Sequence, residues 1–300
     1  MSGPSDVAVH LILGPREEPF LAALLQSLEG AAQTLIVNDN APGPSPHAAT
    51  IAASAFGAHA IVDRSPFTGF ADARNRCLAL HARHSSASWV AFADADEVHA
   101  GSVARVAGNL DRLPAGYDFV DAYTWHFFAS FDYYTSIERR MAFFRFVPGA
   151  HWEGAVHERL TGLRGKRLAL PYVYGHYGHT LAPRRHAEKG RLYSSLGAQG
   201  KVLREDDLDD FDVETYFESV YPRLLRFGGQ HPPAARATVE RLRVALRADH
   251  ALTERVVAEQ PLGVKARNVL RKLNYEMRWR GRGLNPLARR MLTPPRRPSP

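Results

Sequence analysis

The sequence predicts an α/β fold, a parallel sheet with helices on both faces, followed by a helical C-terminal segment. Three observations predict it. Short apolar runs alternate with helix-period segments through the first hundred residues, the pattern of strands joined by crossover helices. A buried-strand run, Ser88 to Phe92, then ends in Ala93-Asp94-Ala95-Asp96-Glu97. Beyond Arg184 the strand-like runs stop and apolar residues recur at helical spacing.

The elements follow in order. Val7 to Leu13 is a strand, broken at Gly14-Pro15. Glu17-Glu18-Pro19 opens a helix, since acids and Pro suit a first turn. Phe20, Leu21, Leu24, Leu25 and Leu28 form its apolar face and Gly30 ends it. Gln33 to Val37 is a second strand leading to Asn38-Asp39-Asn40, His47 to Phe56 a helix, and Ala60 to Val62 a third strand. After the loop from Asp63 to Phe70 comes a helix with Asp72, Arg74 and Asn75 in its first turns and Cys77, Leu78 and His81 further along. Val98 to Leu110 is expected as a helix ended by Pro114-Ala115-Gly116. Asp118 to Phe128, Arg140 to Val147 and Leu168 to Tyr174 are expected as strands. No internal repeat is found.

Composition narrows the function classes. The single cysteine, Cys77, excludes an internal disulfide and Cys-rich metal sites. No apolar run approaches membrane-spanning length, and Met1 to Asp6 lacks a basic signal-peptide start. The expected location is the cytoplasm, with peripheral contact to the inner face of the membrane as an option. The net charge is +7, but residues 265–297 hold eleven Lys/Arg against Glu276, leaving the rest about −3. This basic segment could meet an anionic membrane surface, an acidic partner or nucleic acid; it carries Tyr275 and Trp279 but no nucleic-acid motif, and no specific nucleic-acid partner is expected. Leu270, Leu273 and Met277 form a stripe there, suited to a membrane surface or to packing on the globular part with a solvated basic face. Glu205 to Glu214 contains seven acids in ten residues, and the Pro-rich end at 293–300 reads as disordered.

The chemistry-bearing residues are concentrated. In an open α/β sheet ligands sit beyond the carboxyl ends of the strands. If the strand persisted to Asp96, Asp94 and Asp96 would share one face and suit a hard divalent ion. A solvated acidic turn is the equal alternative from this stretch alone. Trp152 to Glu158, Trp-Glu-Gly-Ala-Val-His-Glu, is the second concentration. Adjacent strand residues point opposite ways, so His157 and Glu158 reach one site only if the chain turns there.

Taken in order, Leu35 to Asn40, Gly69 to Asn75, Trp89 to Glu97, Arg140 to Phe146 with His151-Trp152, and Trp152 to Glu158 resemble the family 2 glycosyltransferases. His176-Tyr177-Gly178 and Lys189-Gly190-Arg191 fit the same subgroup. The resemblance covers Val7 to Leu196. It implies a GT-A fold, a Rossmann-like mixed sheet flanked by helices, with a helical C-terminal extension. The implied organisation is a catalytic domain over 1–196 (a nucleotide-sugar half, 1–110, and an acceptor-side half, 111–196), an extension over 197–292 and a tail over 293–300. It implies a metal-dependent, inverting transfer of sugar from a nucleotide-diphosphate donor, foremost a UDP-sugar, to an acceptor hydroxyl of unknown identity. By the same carry-over, Asp39, Asp72, Arg74 and Asp94 bind the donor, and Asp96 holds Mn²⁺ or Mg²⁺ with Asp94 and His157. Glu158 or Glu153 is the base, and Trp152, His176 and His179 line the acceptor side. Gly14-Pro15-Arg16-Glu17 departs from the family's usual first-strand end. Two other readings stand beside it: an Asp-X-Asp phosphohydrolase or phosphotransferase with Asp94 as nucleophile, and a non-catalytic binding protein that docks by its basic tail. The glycine-rich loop of a sugar-phosphate nucleotidylyltransferase is missing.

Overall fold

The computed structural model describes residues 6–155, 157–180, 185, 187–188, 190–191 and 212–293. Val156, Lys189, residues 205–211 of the acidic run, the expected domain boundary at 196/197 and the tail from 294 lie outside the described residues.

The first four strands are β1 (Val7–Leu13), β2 (Thr34–Asp39), β3 (Ala60–Arg64) and β4 (Trp89–Phe92). They pair in parallel in the order β3-β2-β1-β4. β1 is buried on both faces, so its sequence reads as an apolar run rather than an alternation. Val7, Val9, Leu11 and Leu13 join one core with Leu21, Leu24 and Leu25 of helix α1 (Leu21–Ser27). Ala8, between them, faces Cys77 and Leu80 of helix α3 (Phe70–His84) on the other side. Gly30, at φ +72, turns the chain out of the α1 region, a conformation that glycine adopts without a Cβ penalty. Helix α2 (Ala48–Ala53) is shorter than the expected His47 to Phe56.

The second half continues the same sheet. The order runs on through β7 (Tyr133–Arg145), β6 (Tyr117–Phe128), β10 (Lys166–His179) and β5 (Glu97–Val98). β7 is antiparallel to both β4 and β6, β10 is parallel to β6, and β5 is antiparallel to β10. A separate hairpin joins β8 (His151–Glu153) to β9 (Arg159–Thr161). The expected helix from Val98 to Leu110 shrinks to α4 (Val103–Ala107), because Val98 pairs with Gly175 and Glu97 with His176 as a short strand.

The C-terminal helices are α5 (Val213–Phe217), α6 (Arg236–Ala245), α7 (Arg247–Ala258), α8 (Leu262–Arg280) and α9 (Pro286–Leu292), with a short strand β11 (Leu225–Arg226) beside β7. Asp212 caps α5, accepting the Glu214 and Thr215 N–H groups. These helices share cores with the sheet. Val239 packs with Tyr123, Phe127 and Tyr177, and Met291 joins the core beneath β1. Asn109 fastens the end of α9, donating from Nδ2 to the carbonyls of Met291 and Thr293. Among the described residues no helix is long and apolar enough to cross a membrane.

Several histidines are core residues. His81 Nε2 must donate to the Ala87 carbonyl, at 2.8 Å. Its Nδ1 is then the acceptor for His10 Nε2 at 2.9 Å. Burial lowers both pKa values and pushes His99, bonded to the Tyr172 hydroxyl, down to about 3. An unfolded histidine takes up its proton near pH ~6.5, whereas these folded ones do not. The contribution of these histidines is therefore level above that pH and falls as pH drops below it, by up to ~1.4 kcal/mol per pH unit for each. Thermal melts should show a Tm that declines from pH 6.5 to pH 5. His99→Gln should decline less steeply, and a wild-type Tm that is flat over that interval would contradict the neutral buried imidazoles.

Candidate active site

The carboxyl ends of the parallel strands lie side by side. Leu13 of β1 lies beside Asp39 of β2, and Asp39 beside Arg64 of β3. Asp39 is buried; its Oδ1 accepts the Ala41 N–H at 3.0 Å, and Oδ2 lies 3.9 Å from Arg64 Nε. Asn38 Nδ2 donates to Asp63 and to Ser65 Oγ, and Asn40 Nδ2 donates to Asn38 Oδ1 and the Ser65 carbonyl. A satisfied buried polar network of this kind fixes the loop rigidly. Asp39 thus caps a turn at the carboxyl end of its strand.

β4 stops at Phe92, so Asp94 and Asp96 do not share a strand face as expected. The Glu97 N–H instead bonds back to the Asp94 carbonyl at 3.0 Å, and this turn sends the two carboxylates to different partners. Asp94 meets arginines. Arg74, 5% exposed on α3, lies over the Phe92 ring at 4.2 Å. Its Nη2 donates to Asp94 Oδ1 at 2.6 Å and its Nε donates to Glu158 Oε1. Arg140 on β7 reaches Asp94 at 3.5 Å and Glu97 at 3.2 Å. Glu97 also accepts the Asp94 N–H. Burial works against ionisation of Asp94, but Arg74, then Arg140, outweigh it and hold that carboxyl below the usual range. Burial pushes Glu97 the other way, up to about 8, against the pull of Arg140.

Asp96 meets histidines. Its carbonyl accepts the Tyr177 N–H at 2.8 Å, and its Oδ1 lies 3.4 Å from His176 Nε2. The β6–β10 register sets His126 beside His176, with rings 5.0 Å apart, and His179 lies 5.2 Å from His176. Burial, with help from His176 and Arg140, pushes His126 down to about 3, so its imidazole is neutral at pH 7. Glu138 lies 3.5 Å from His126. Among the described residues, no three His, Cys, Asp or Glu side chains form a complete metal shell.

The β8–β9 hairpin supplies Glu158. Asn75 of α3 pins the hairpin, donating to the Trp152 carbonyl at 2.9 Å and accepting the Trp152 N–H at 2.8 Å. Trp152 is 5% exposed, stacked on Phe92 at 5.1 Å and edge-on to Phe144. Expected on the acceptor side, it is a core residue with no face left for a sugar. The next residue, Glu153, points to solvent, where its Oε1 bonds His151 Nε2 at 2.6 Å. His157 is exposed at φ +57, a conformation uncommon outside glycine. The chain therefore does turn there, which carries Glu158 back to Arg74. The histidine facing Asp96 is His176, however, and not His157. Asp72 is exposed in the first turn of α3 and outside the Arg74 cluster.

Sequence reasoning missed Arg140, His126 and Glu138 as site residues. Their one signal is charge and imidazole within β-forming runs, which becomes informative only once β6, β7 and β10 are known to be neighbours.

No family model matches the chain, and no curated protein matches it. Among solved structures, S. aureus TarS 1–349 in complex with UDP-GlcNAc is similar at 13% identity, over 71% of this chain and 73% of that one, with a TM-score of 0.38. S. aureus TarS 1–349 is also similar at 12% identity over 92% of each chain, with a TM-score of 0.37. HddC from Yersinia pseudotuberculosis is similar at 11% identity, over 62% of this chain and 99% of that one, with a TM-score of 0.35. Likeness at this level leaves the site to be read from its own residues.

Arg74 is the testable centre of that site. Arg74→Ala leaves half-buried Glu158 without its cation and half-buried Asp94 with Arg140 alone, and should cost ~1–3 kcal/mol in urea unfolding. Arg74→Lys keeps the charge but loses the fork and should recover part of the loss. Asp72→Asn should stay within ~0.5 kcal/mol of wild type. Arg74→Ala as stable as wild type would remove Arg74 from this central role.

Proposed function

We propose that this chain is a family 2 glycosyltransferase of the GT-A type, metal-dependent and inverting, which moves a sugar from a nucleotide-diphosphate donor, foremost a UDP-sugar, to an acceptor hydroxyl. The observation that carries the reading is the split of Asp94 and Asp96 beyond β4 at the strand ends. One carboxylate is clamped by arginines and the other is set against His176. The ordered resemblance, from Leu35 to Asn40 through Trp152 to Glu158, supports it independently.

In this reading Asp39 lies at the β2 end, where a nucleobase would dock, and one carboxylate oxygen there would accept a base N–H. Asp94, kept ionised by Arg74 and Arg140, would accept hydroxyls of the ribose or the sugar. Arg74 itself is occupied by Asp94 and Glu158, so it acts by positioning both. The acceptor oxygen attacks the anomeric carbon from the face opposite the diphosphate, and the carbon–oxygen bond to phosphate breaks. The electron pair leaves with the nucleoside diphosphate, and the hydroxyl proton passes to Glu158. Glu158 is preferred over Glu153, which points to solvent with His151. Asp96 and His176 are the residues that would hold a divalent ion. A carboxylate oxygen with an imidazole nitrogen suits Mn²⁺ better than Mg²⁺, which prefers oxygen alone. Such an ion, when bound, would neutralise the charge growing on the diphosphate.

The phosphohydrolase reading is disfavoured by the same contacts. A nucleophilic Asp94 would have to leave two guanidinium groups to reach phosphorus.

A thermal-shift screen of UDP-, GDP- and TDP-sugars, with and without Mn²⁺, should give a Mn²⁺-dependent rise for one donor. Ligand at a hundred times its Kd is worth ~2.7 kcal/mol of stability. Asp96→Ala should keep the fold and lose the Mn²⁺-dependent part of that rise together with turnover. Glu158→Gln should lower kcat ~100-fold or more with donor affinity kept, and NMR of the product should show the opposite anomer. Wild-type turnover in Asp96→Ala would defeat the metal assignment. Donor binding without any transfer would favour a non-catalytic binding protein, and release of free phosphate from sugar phosphates would favour the hydrolase.

A further inference from the structure

The helix α8 is attached to the protein by the wrong face for an ordinary amphipathic helix. Its inward residues are largely polar. Asn268 Nδ2 donates to the carbonyls of Pro222 and Leu224, Arg271 donates to those of Arg223 and Thr135, and Lys272 donates to that of Arg226. Tyr275 and Trp279 complete that face against the core of the second sheet half. The apolar residues point outward. Leu262 is 83% exposed, Leu270 and Met277 are 68% exposed, and Val269 and Leu273 are more than half exposed. Leu284, just past the helix end, is exposed as well. Six of the eight exposed large hydrophobic residues among the described residues are therefore on or next to this one helix.

At ~100° per residue these positions, with Gly263 and Ala266, fill a continuous outer arc of about 120°. The helix is ~28 Å long. Scattered exposed apolar residues need no explanation, but a contiguous stripe does. The flanks decide what would cover it. Arg267 and Arg278 border the stripe on one side, and among the described residues neither has an acidic partner. Lys265 lies on the other side, and Arg280, sharing Glu276 at 3.5 Å, closes the C-terminal end of the arc. An apolar centre with a cationic rim fits a surface that is apolar within and anionic at its edge. A second copy would bring two such cationic rims together, and a nucleic acid has nothing to offer the leucines at the centre.

We propose that α8 lies lengthwise in the surface of an anionic lipid bilayer. Leu262, Val269, Leu270, Leu273 and Met277 enter the acyl boundary, and Arg267, Arg278 and Arg280 sit at the headgroups. The inference is independent of the reading of the strand-end site. It extends the sequence expectation of peripheral membrane contact by fixing which face is engaged and how the helix lies.

Co-sedimentation of the full chain with vesicles tests it. Wild type should sediment with phosphatidylglycerol-containing vesicles, less with pure phosphatidylcholine vesicles, and less at high salt. The triple variant Leu270→Glu, Leu273→Glu, Met277→Glu changes only exposed residues, so its circular dichroism and Tm should match wild type while vesicle binding falls about tenfold or more. Charge removal by Arg267→Gln with Arg278→Gln should weaken binding roughly fivefold per arginine. Leu270→Trp should give a blue-shifted emission on adding anionic vesicles. Equal sedimentation of wild type and the folded triple variant would overturn the proposal. So would wild-type self-association that the triple variant abolishes without any vesicle binding, since a second copy would then own the face.

Discussion

The Arg74 guanidinium is the interaction on which the rest of the site depends. It is nearly excluded from solvent and joins three segments distant in sequence: helix α3, the turn after β4 and the β8–β9 turn. A buried cation needs ionised, well-placed partners, because desolvation costs several kcal/mol if it is left alone. Asp94 and Glu158 meet that requirement from opposite sides, and the Phe92 ring supports the guanidinium plane. Arg140 extends the array, so that Glu158, Arg74, Asp94 and Arg140 alternate in sign, and Arg140 also reaches Glu97, whose pKa burial raises. The turn holding Asp94 and Asp96 is therefore part of a lattice rather than a loose acidic loop.

That lattice gives two neighbouring carboxylates different partners. An uninterrupted strand would place Asp94 and Asp96 side by side. The backbone turn after Phe92 gives each its own nearest partner, guanidinium for Asp94 and imidazole for Asp96, while Arg140 acts on both. Groups whose surroundings differ this much suit separate chemical roles better than a shared one.

Much of the first half was legible in the sequence because its signals are local. Apolar runs end in Gly-Pro or Asn-Asp-Asn, helices show their period, and the parallel pairing of β1 to β4, though not their order, follows from the alternation of the two. What was not legible depends on pairing between distant segments. The short strand β5 replaces the start of an expected helix because Glu97 and Val98 find His176 and Gly175. Arg140 and His126 become site residues through the neighbours that β7 and β6 acquire. Helical period in α8 was readable, but not which face would pack. Asn268, Arg271 and Lys272 bond the carbonyls at 222–226 and 135, and these polar anchors leave the leucine stripe outside. The packed, solvated-basic-face alternative had the stripe the other way round.

The closeness of Asp96 and His176 rests on backbone before it rests on side chains. The Tyr177 N–H holds the Asp96 carbonyl, and Glu97 is in register with His176 across β5 and β10. A slip of one residue in that short ladder would turn His176 to the opposite side of the sheet. The pair is thus inherited as an alignment of two strands. Drift that exchanges the side chains can alter the chemistry of the pair while its location persists, whereas a single insertion between Lys166 and Gly175 could erase it even with every catalytic residue type retained.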